Sequence, residues 1–306
     1  MPIRGDAEDL SQLELLRSSC PSGDVEWILV VDGEPTELVC GVTLELARRP
    51  DVVVLSQSCL NPGSARNAGL ASACGDFVAF LDVDDEASIG AYLALCLELA
   101  AHGIMVGAIG YREVNEASSS PHEQGLPRSG DQVGWALLQR RVGIWRFAFS
   151  RAFLQSAGVR FPEASYGEDL QFVVCVLTHS PRVWGLARVG YTYRHHSGTQ
   201  LTRQSPSASD VGKLWRFLEE SLIANSANPA ARHVLQSWLA RIWARSLRLE
   251  TWTPAPQVRI HHAALITRGL AWSCLWALRE PKALVISFRS KLLRGSTTTG
   301  RAGEKS

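Results

Sequence analysis

Three carboxylates, Asp82, Asp84 and Asp85, close an apolar run in the stretch F-V-A-F-L-D-V-D-D-E. Acids packed this tightly straight after a hydrophobic strand repel one another unless something compensates them. A hard divalent cation does so, because Mg²⁺ or Mn²⁺ prefers oxygen ligands and fills its shell with phosphate oxygens and water. A solvated acidic turn capping the next helix is the alternative for so short a motif. Upstream, G-S-A-R-N-A-G-L-A-S-A predicts a helix opening near Ser64, with Arg66 and Asn67 in its first turn. Its small residues let it lie close to a sheet. A second acidic pair, Glu168-Asp169 in S-Y-G-E-D-L, suits a helix N-terminus, where carboxylates are favoured by the macrodipole. Two adjacent histidines, His195 and His196, follow a β-rich run.

The elements that must position these residues alternate. Trp27–Val31, Val52–Leu55 and Phe77–Leu81 are nearly all apolar, as expected of strands buried on both faces of a parallel sheet. Leu38–Arg48 and Ala65–Ala73 show helical patterning between them. The alternation predicts an α/β fold with a doubly wound, mostly parallel, Rossmann-like sheet whose ligands lie at the carboxyl ends of the strands. A helix over Ala91–Ala101 and a strand over Ile104–Tyr111 follow, and the polar stretch Glu116–Asp131 is expected to be a loop. From 207 the pattern is helical only, with Val211–Ile223 and Ala230–Leu249 as its clearest members. The expected organisation is a sheet domain over 1–206, a C-terminal helical appendage over 207–295 and a disordered polar tail over 296–306.

Bulk composition narrows the class. The chain has 306 residues, 46% of them hydrophobic, enough for one large α/β domain and an appendage. A net charge of +1 gives no general attraction to nucleic acid. Seven cysteines, odd in number and never in C-x-x-C spacing, fit buried thiols of a reducing cytosol better than a zinc site or a disulfide framework. The N-terminus lacks the apolar core of a secretory signal, and no apolar window reaches the ~18 residues of a spanning helix. The expected location is cytoplasmic. The basic C-terminal residues Arg279, Lys282, Arg289, Lys291 and Arg294, set among Trp and Leu, allow peripheral contact with the inner face of a membrane.

Four motifs in order resemble glycosyltransferase family 2, the GT-A-fold family of inverting, nucleotide-sugar-dependent transferases. R-N-A-G followed by A-x-G-D-F-V-A-F-L-D-V-D-D resembles its hallmark, including the D-x-D motif. E-W-I-L-V-V-D-G resembles its second strand, F-P-E-A-S-Y-G-E-D-L-Q-F its E-D segment, and Y-T-Y-R-H-H-S-G-T-Q-L-T its Y-R-x-H-x-x-S-x-T element. The similarity runs from about Val25 to Arg203. It implies a sugar donor activated as a UDP-, GDP- or dTDP-sugar, a saccharide or lipid-linked acceptor, and Mn²⁺ or Mg²⁺. By the same resemblance Asp84 and His196 face the metal. Asp32, Arg66, Asn67 and Asp82 serve the donor, and Asp169, with Glu168 beside it, is the catalytic base. Trp145 and Arg146 resemble an acceptor-side segment of the family, with Arg146 replacing its usual small polar residue.

The resemblance fails at the front. Family members begin with a buried strand of the V-S-V-I-I-P-x-Y-N type, and residues 1–24 contain nothing like it. The chain is expected to start inside the first helix, with Leu10, Leu13, Leu15 and Leu16 as the apolar face. Loss of a central strand leaves unpaired backbone on its neighbours. Either the natural start lies upstream, which the intact acidic motifs favour, or the domain is a degenerate, non-catalytic nucleotide-sugar-binding module. A nucleotidyltransferase is the enzymatic rival, but the glycine-rich, basic loop expected after its first strand is not in the sequence.

Overall fold

A computed structural model describes residues 1–5, 10–19, 23–59, 61–115, 122–126, 129–139, 142–164, 166–195 and 206–246. It divides into two compact units, Met1–Ser237 and Trp238–Ser306. Only residues 238–246 of the second unit are described, and they are helical. The expected tail over 296–306 and the helices beyond 246 lie outside the described residues.

The first unit opens with β1 (Pro2–Arg4), α1 (Ser11–Ser18), β2 (Trp27–Asp32), α2 (Glu37–Leu46), β3 (Val52–Gln57), α3 (Pro62–Ser72) and β4 (Phe77–Ala79). Then come β5 (Glu86–Ala87), α4 (Ile89–His102), β6 (Val106–Asn115), β7 (His122–Gln124), β8 (Gly130–Val133) and β9 (Phe147–Ser150). Helices α5 (Arg151–Ser156) and α6 (Glu168–His179), strand β10 (Arg182–His195), and helices α7 (Ala208–Ala224) and α8 (Pro229–Ser246) complete the order. The α/β alternation is as expected, with caps where short polar side chains allow them. Thr36 accepts from the Val39 N–H to start α2, and Asn61 accepts from the Ser64 N–H to start α3, with Pro62 in its first turn. The helix carrying Arg66 is therefore capped at Asn61, not opened at Ser64.

Strands β1, β2 and β3 form one parallel sheet. The second sheet is mixed, in the order β4-β9-β6-β10-β5, with β7 on β6 and β8 on β10. Among its described residues only β6 and β10 pair in parallel. The predominantly parallel character read from the apolar runs therefore holds in the first sheet. The return strands of the second sheet reverse it. The segment expected to be a loop, Glu116–Asp131, contains β7 and the start of β8. Their polar residues fit edge positions, and polarity had disguised them.

The front of the chain departs most from expectation. Pro2–Arg4 is a strand, paired with Val30–Asp32 of β2, so the first-strand position is occupied at its downstream end. Its three residues escaped notice because no alternation can be read over so short a run. Helix α1 buries Leu10, Leu13 and Leu16 against Ile3, Leu29 and Val39, while Leu15 remains 50% exposed and is not part of that face. A second core gathers Leu81, Leu95, Tyr111, Trp145 and Tyr191. Met1 and Trp27 touch both cores. No described helix is long and apolar enough to cross a membrane, and none of the described cysteines forms a disulfide.

Candidate functional site

The carboxyl ends of β2 and β4 bring the predicted acids to one side of the fold. After β4 the chain turns through Asp82–Asp85, and the three acids diverge in environment. Asp85 is 1% exposed. Its Oδ2 accepts from the Tyr191 hydroxyl at 2.7 Å and its Oδ1 from the Arg194 N–H at 2.7 Å, tying the acidic turn to β10. Burial pushes its carboxyl up to about 8, with Asp82 adding to the rise and the two donors opposing it. Near neutral pH Asp85 is therefore chiefly protonated, a state that asparagine imitates. Asp85→Asn should cost at most about 1 kcal/mol at pH 7, whereas Asp85→Ala, which orphans two buried donors, should cost about 2–4 kcal/mol. Urea unfolding of the pair checks this, and equal losses for the two variants would contradict the protonated carboxyl.

Arg66 joins the two acidic motifs. Its guanidinium, 6% exposed, donates to Asp82 at 3.1 Å, to Asp169 at 2.9 Å and to Glu168 at 3.3 Å. Burial alone would lower its pKa, but Asp169, Asp82 and Glu168 outweigh it and raise it. Residues 102 and 103 positions apart along the chain thus share one cation. The placement of Glu168-Asp169 depends on Gly167, whose φ of 75° lies in the left-handed region and opens α6. A side chain there would also meet Leu214 of α7 at 2.7 Å.

Asp169 is held from two directions. Arg66 bonds Oδ1, and the Ile144 N–H donates to Oδ2 at 3.1 Å. Its side chain is 21% exposed, so an approaching hydroxyl can still reach it. Burial raises its pKa to about 7. Arg66 and the Ile144 N–H oppose that rise, while Glu168 and Asp82 add to it. A carboxyl near neutrality is well matched to taking a proton from a hydroxyl.

The remaining predicted residues divide. Asp32, 5% exposed at the end of β2, accepts from the Asn61 N–H at 2.8 Å and so fixes the loop that starts α3. Asn67 turns its amide to the backbone of Phe161, donating to its carbonyl and accepting from its N–H, both at 2.9 Å. That clamp ties α3 to the segment that precedes α6. Trp145 is buried and stacks on Tyr191, with ring centroids 4.4 Å apart and an interplanar angle of 4°. Arg146 is 4% exposed over the rings of Tyr111 and Phe147. Both belong to the core, not to an acceptor surface. His196 lies outside the described residues. Its neighbour His195 pairs with Glu113 of β6 at 3.0 Å, and Arg194 pairs with Glu86. Sequence reasoning overlooked the role of Tyr191, although it opens the Y-T-Y-R-H-H element, and overlooked Glu113, which belongs to no local motif and is brought beside His195 by the parallel pairing of β6 with β10.

Among the described residues no group of three or more His, Cys, Asp and Glu could by itself hold a metal ion. The acidic turn does suit an ion that arrives with its own ligands. Asp82 is engaged by Arg66 and Asp85 by β10, and Asp84 sits half-buried between them. One carboxylate completed by diphosphate oxygens and water is an ordinary shell for Mg²⁺.

Comparison with known proteins gives a consistent picture. Residues 11–156 match the family model "Glycosyl transferase family 2". The uncharacterized glycosyltransferase EpsJ of Bacillus subtilis (strain 168) is 27% identical over 184 residues, 56% of this chain and 53% of the relative. The chain thus spans about half the length of that curated relative. Among solved structures, residues 1–349 of S. aureus TarS in complex with UDP-GlcNAc superpose with a TM-score of 0.64 at 18% identity. That match covers 80% of this chain and 70% of the other. The same TarS fragment in complex with UDP gives a TM-score of 0.61 at 18% identity, over 80% of this chain and 69% of that one. The shared fold is the GT-A architecture with a helical C-terminal part.

Proposed function

We propose that this chain, whose residues 11–156 match the model of glycosyltransferase family 2, is a transferase of that family and moves a sugar from a nucleotide-diphosphate donor to an acceptor hydroxyl with inversion at the anomeric carbon. The observation that carries this reading is Asp169, a partly open carboxyl raised to about 7 and linked through Arg66 to Asp82 of the acidic turn. In a single displacement the acceptor oxygen attacks the anomeric carbon as the nucleoside diphosphate leaves, and Asp169 takes the hydroxyl proton. Glu168 and Arg66 hold that carboxylate in place. A retaining route through a covalent intermediate would need a nucleophilic carboxylate on the opposite face of the sugar.

Asp84 would hold a Mn²⁺ or Mg²⁺ ion together with the donor diphosphate. Bound there, the ion neutralises the charge growing on the leaving group. Asp82 and Asp32, at the ends of β4 and β2, would face the donor ribose and base. The TarS structures with UDP and UDP-GlcNAc make UDP-sugars the first donors to try, ahead of GDP- and dTDP-sugars. A saccharide or lipid-linked acceptor, and a place in polysaccharide or glycoconjugate synthesis, accord with the family.

The test is nucleoside-diphosphate release from a panel of these donors with Mn²⁺ and mixed saccharide acceptors. Turnover that requires the metal and vanishes in Asp84→Asn supports the reading. Donor binding without turnover in the unmodified chain would make it a binding module instead. The pH profile adds a second check. The base must be ionised, so kcat/KM should rise about tenfold per pH unit below about 7 and level off above it. Folding stability runs the other way. The folded Asp169 keeps its proton up to about 7, against the ordinary aspartate value of 3.8. Its contribution is full below about pH 4 and is lost as pH rises through 7.

A further inference from the structure

Trp145 is buried, yet each acidic motif is reached from it through a single intervening group. On one side its indole stacks on Tyr191, with ring centroids 4.4 Å apart. The Tyr191 hydroxyl donates to Asp85 at 2.7 Å and accepts from the Asp82 N–H at 3.4 Å. It therefore grips the acidic turn on both sides of Asp84. On the other side Ile144, the residue before Trp145, donates its N–H to Asp169 at 3.1 Å. The indole also sets the path of that backbone. A Cβ at Gly143 would lie 2.3 Å from the Trp145 ring, so ring and main chain are packed together just ahead of the Ile144 N–H. Tyr92 of α4 donates its hydroxyl to the Trp145 carbonyl, and Tyr111 of β6 meets the indole edge-on at a centroid distance of 4.8 Å. Both anchor the 3-10 turn Ile144–Arg146 to the second sheet and its helix.

We infer that Trp145 is a positioning residue for the transfer: stacked on Tyr191 and packed against the backbone that carries the Ile144 N–H, it holds the Asp169 carboxylate and the acidic turn in one frame. The inference rests on the reading of Asp169 as the base and Asp84 as the metal ligand. In that reading the acceptor hydroxyl lies against one motif and the donor diphosphate against the other, with the anomeric carbon between them. A misplacement of about 1 Å between such groups costs about a hundredfold in rate. Arg66 supplies attraction between the motifs, through bonds to Asp82 and Asp169. The stacked rings supply a fixed separation, because a close-packed interior transmits displacement instead of absorbing it. A residue that only filled the core would contribute packing and leave the relation of the two motifs unchanged.

The test compares Trp145→Leu and Trp145→Phe with Leu99→Ala, a change at a fully buried residue of α4 in the same core but outside both motifs. Amide hydrogen exchange at Ile144 and Asp82, each relative to Leu29 of β2, needs neither donor nor turnover. Trp145→Leu should speed both amides about tenfold, and Trp145→Phe, whose ring keeps part of the stack, about threefold. Leu99→Ala should lower Tm without changing either ratio. In turnover, Trp145→Leu should lower kcat about a hundredfold with the donor KM within about threefold, while Trp145→Phe should recover at least about a tenth of the parent kcat. Leu99→Ala should stay within about threefold of the parent. Unchanged exchange at Ile144 and Asp82 in Trp145→Leu overturns the inference, as does an equal effect of Leu99→Ala. If Trp145→Leu does not fold, Trp145→Phe decides by the same two amides. A parent that neither binds nor turns over a donor removes the reading of Asp169 and Asp84, and the exchange ratios then decide separately whether Trp145 ties the two motifs.

Discussion

Asp169→Asn should lower kcat about a thousandfold while leaving KM for the donor within about threefold. The amide keeps the shape of the carboxylate and can still accept from the Ile144 N–H or from Arg66, so the fold around α6 should survive. What it lacks is a lone pair basic enough to take the acceptor's proton. Single-turnover release of the nucleoside diphosphate is the appropriate measurement, because it isolates the displacement from product release. The variant should also lose the ionisation near pH 7 from its residual rate. An Asp169→Asn enzyme retaining more than a tenth of the parent rate would assign the base elsewhere, with Glu168 the next carboxylate to replace. Its side chain is 18% exposed and shares Arg66, so Glu168→Gln should show a smaller loss if its role is to position its neighbour.

Arg66→Met should be the most destabilising of the site substitutions. The guanidinium is the shared counter-charge of Asp82, Glu168 and Asp169. Deleting it leaves three partly buried carboxylates facing one another, and breaking a buried ion pair from one side costs about 3–5 kcal/mol. In a domain of this size that lowers Tm by roughly 10 °C. The sign of the pH dependence identifies the cause. Arg66 opposes the rise in the Asp169 pKa, so without it that carboxyl is pushed up further and the variant should regain stability on acidification more steeply than the parent. Arg66→Lys should rescue only part of the loss, because an ammonium is a point charge and cannot reproduce the planar fork that reaches both acidic motifs. A Tm change under 2 °C in Arg66→Met, measured by calorimetry, would mean that solvent already compensates these acids.

Much of this architecture was legible along the chain, and where it was not there is a physical reason. Strands β2 and β3 and helices α2 to α4 announced themselves through continuous apolar runs and helical spacing, since burial on both sheet faces or on one helix stripe dictates residue type locally. The acidic turn and Gly167-Glu168-Asp169 were also visible, as short motifs with restricted chemistry. Strand β1 was not, because three residues carry no period. Strands β7 and β8 were mistaken for loop because edge strands tolerate polar residues. Trp145 and Arg146 lie in a segment that resembles the family's acceptor side, with a core position the alternative for Trp145. Their burial against Tyr191 and Tyr111 depends on strands distant in sequence.

The sequence by itself therefore determined the α/β class, the resemblance to a glycosyltransferase family and the position of the acidic motifs along the chain. Those properties depend on composition, local periodicity and short motifs. Tertiary structure alone decided that Arg66 spans both acidic motifs, that Asp85 is locked to Tyr191 while Asp169 stays partly open, and that β7 and β8 pair at the margins of the second sheet. Charge sharing, burial and edge pairing arise between segments tens of residues apart, and no local pattern records them.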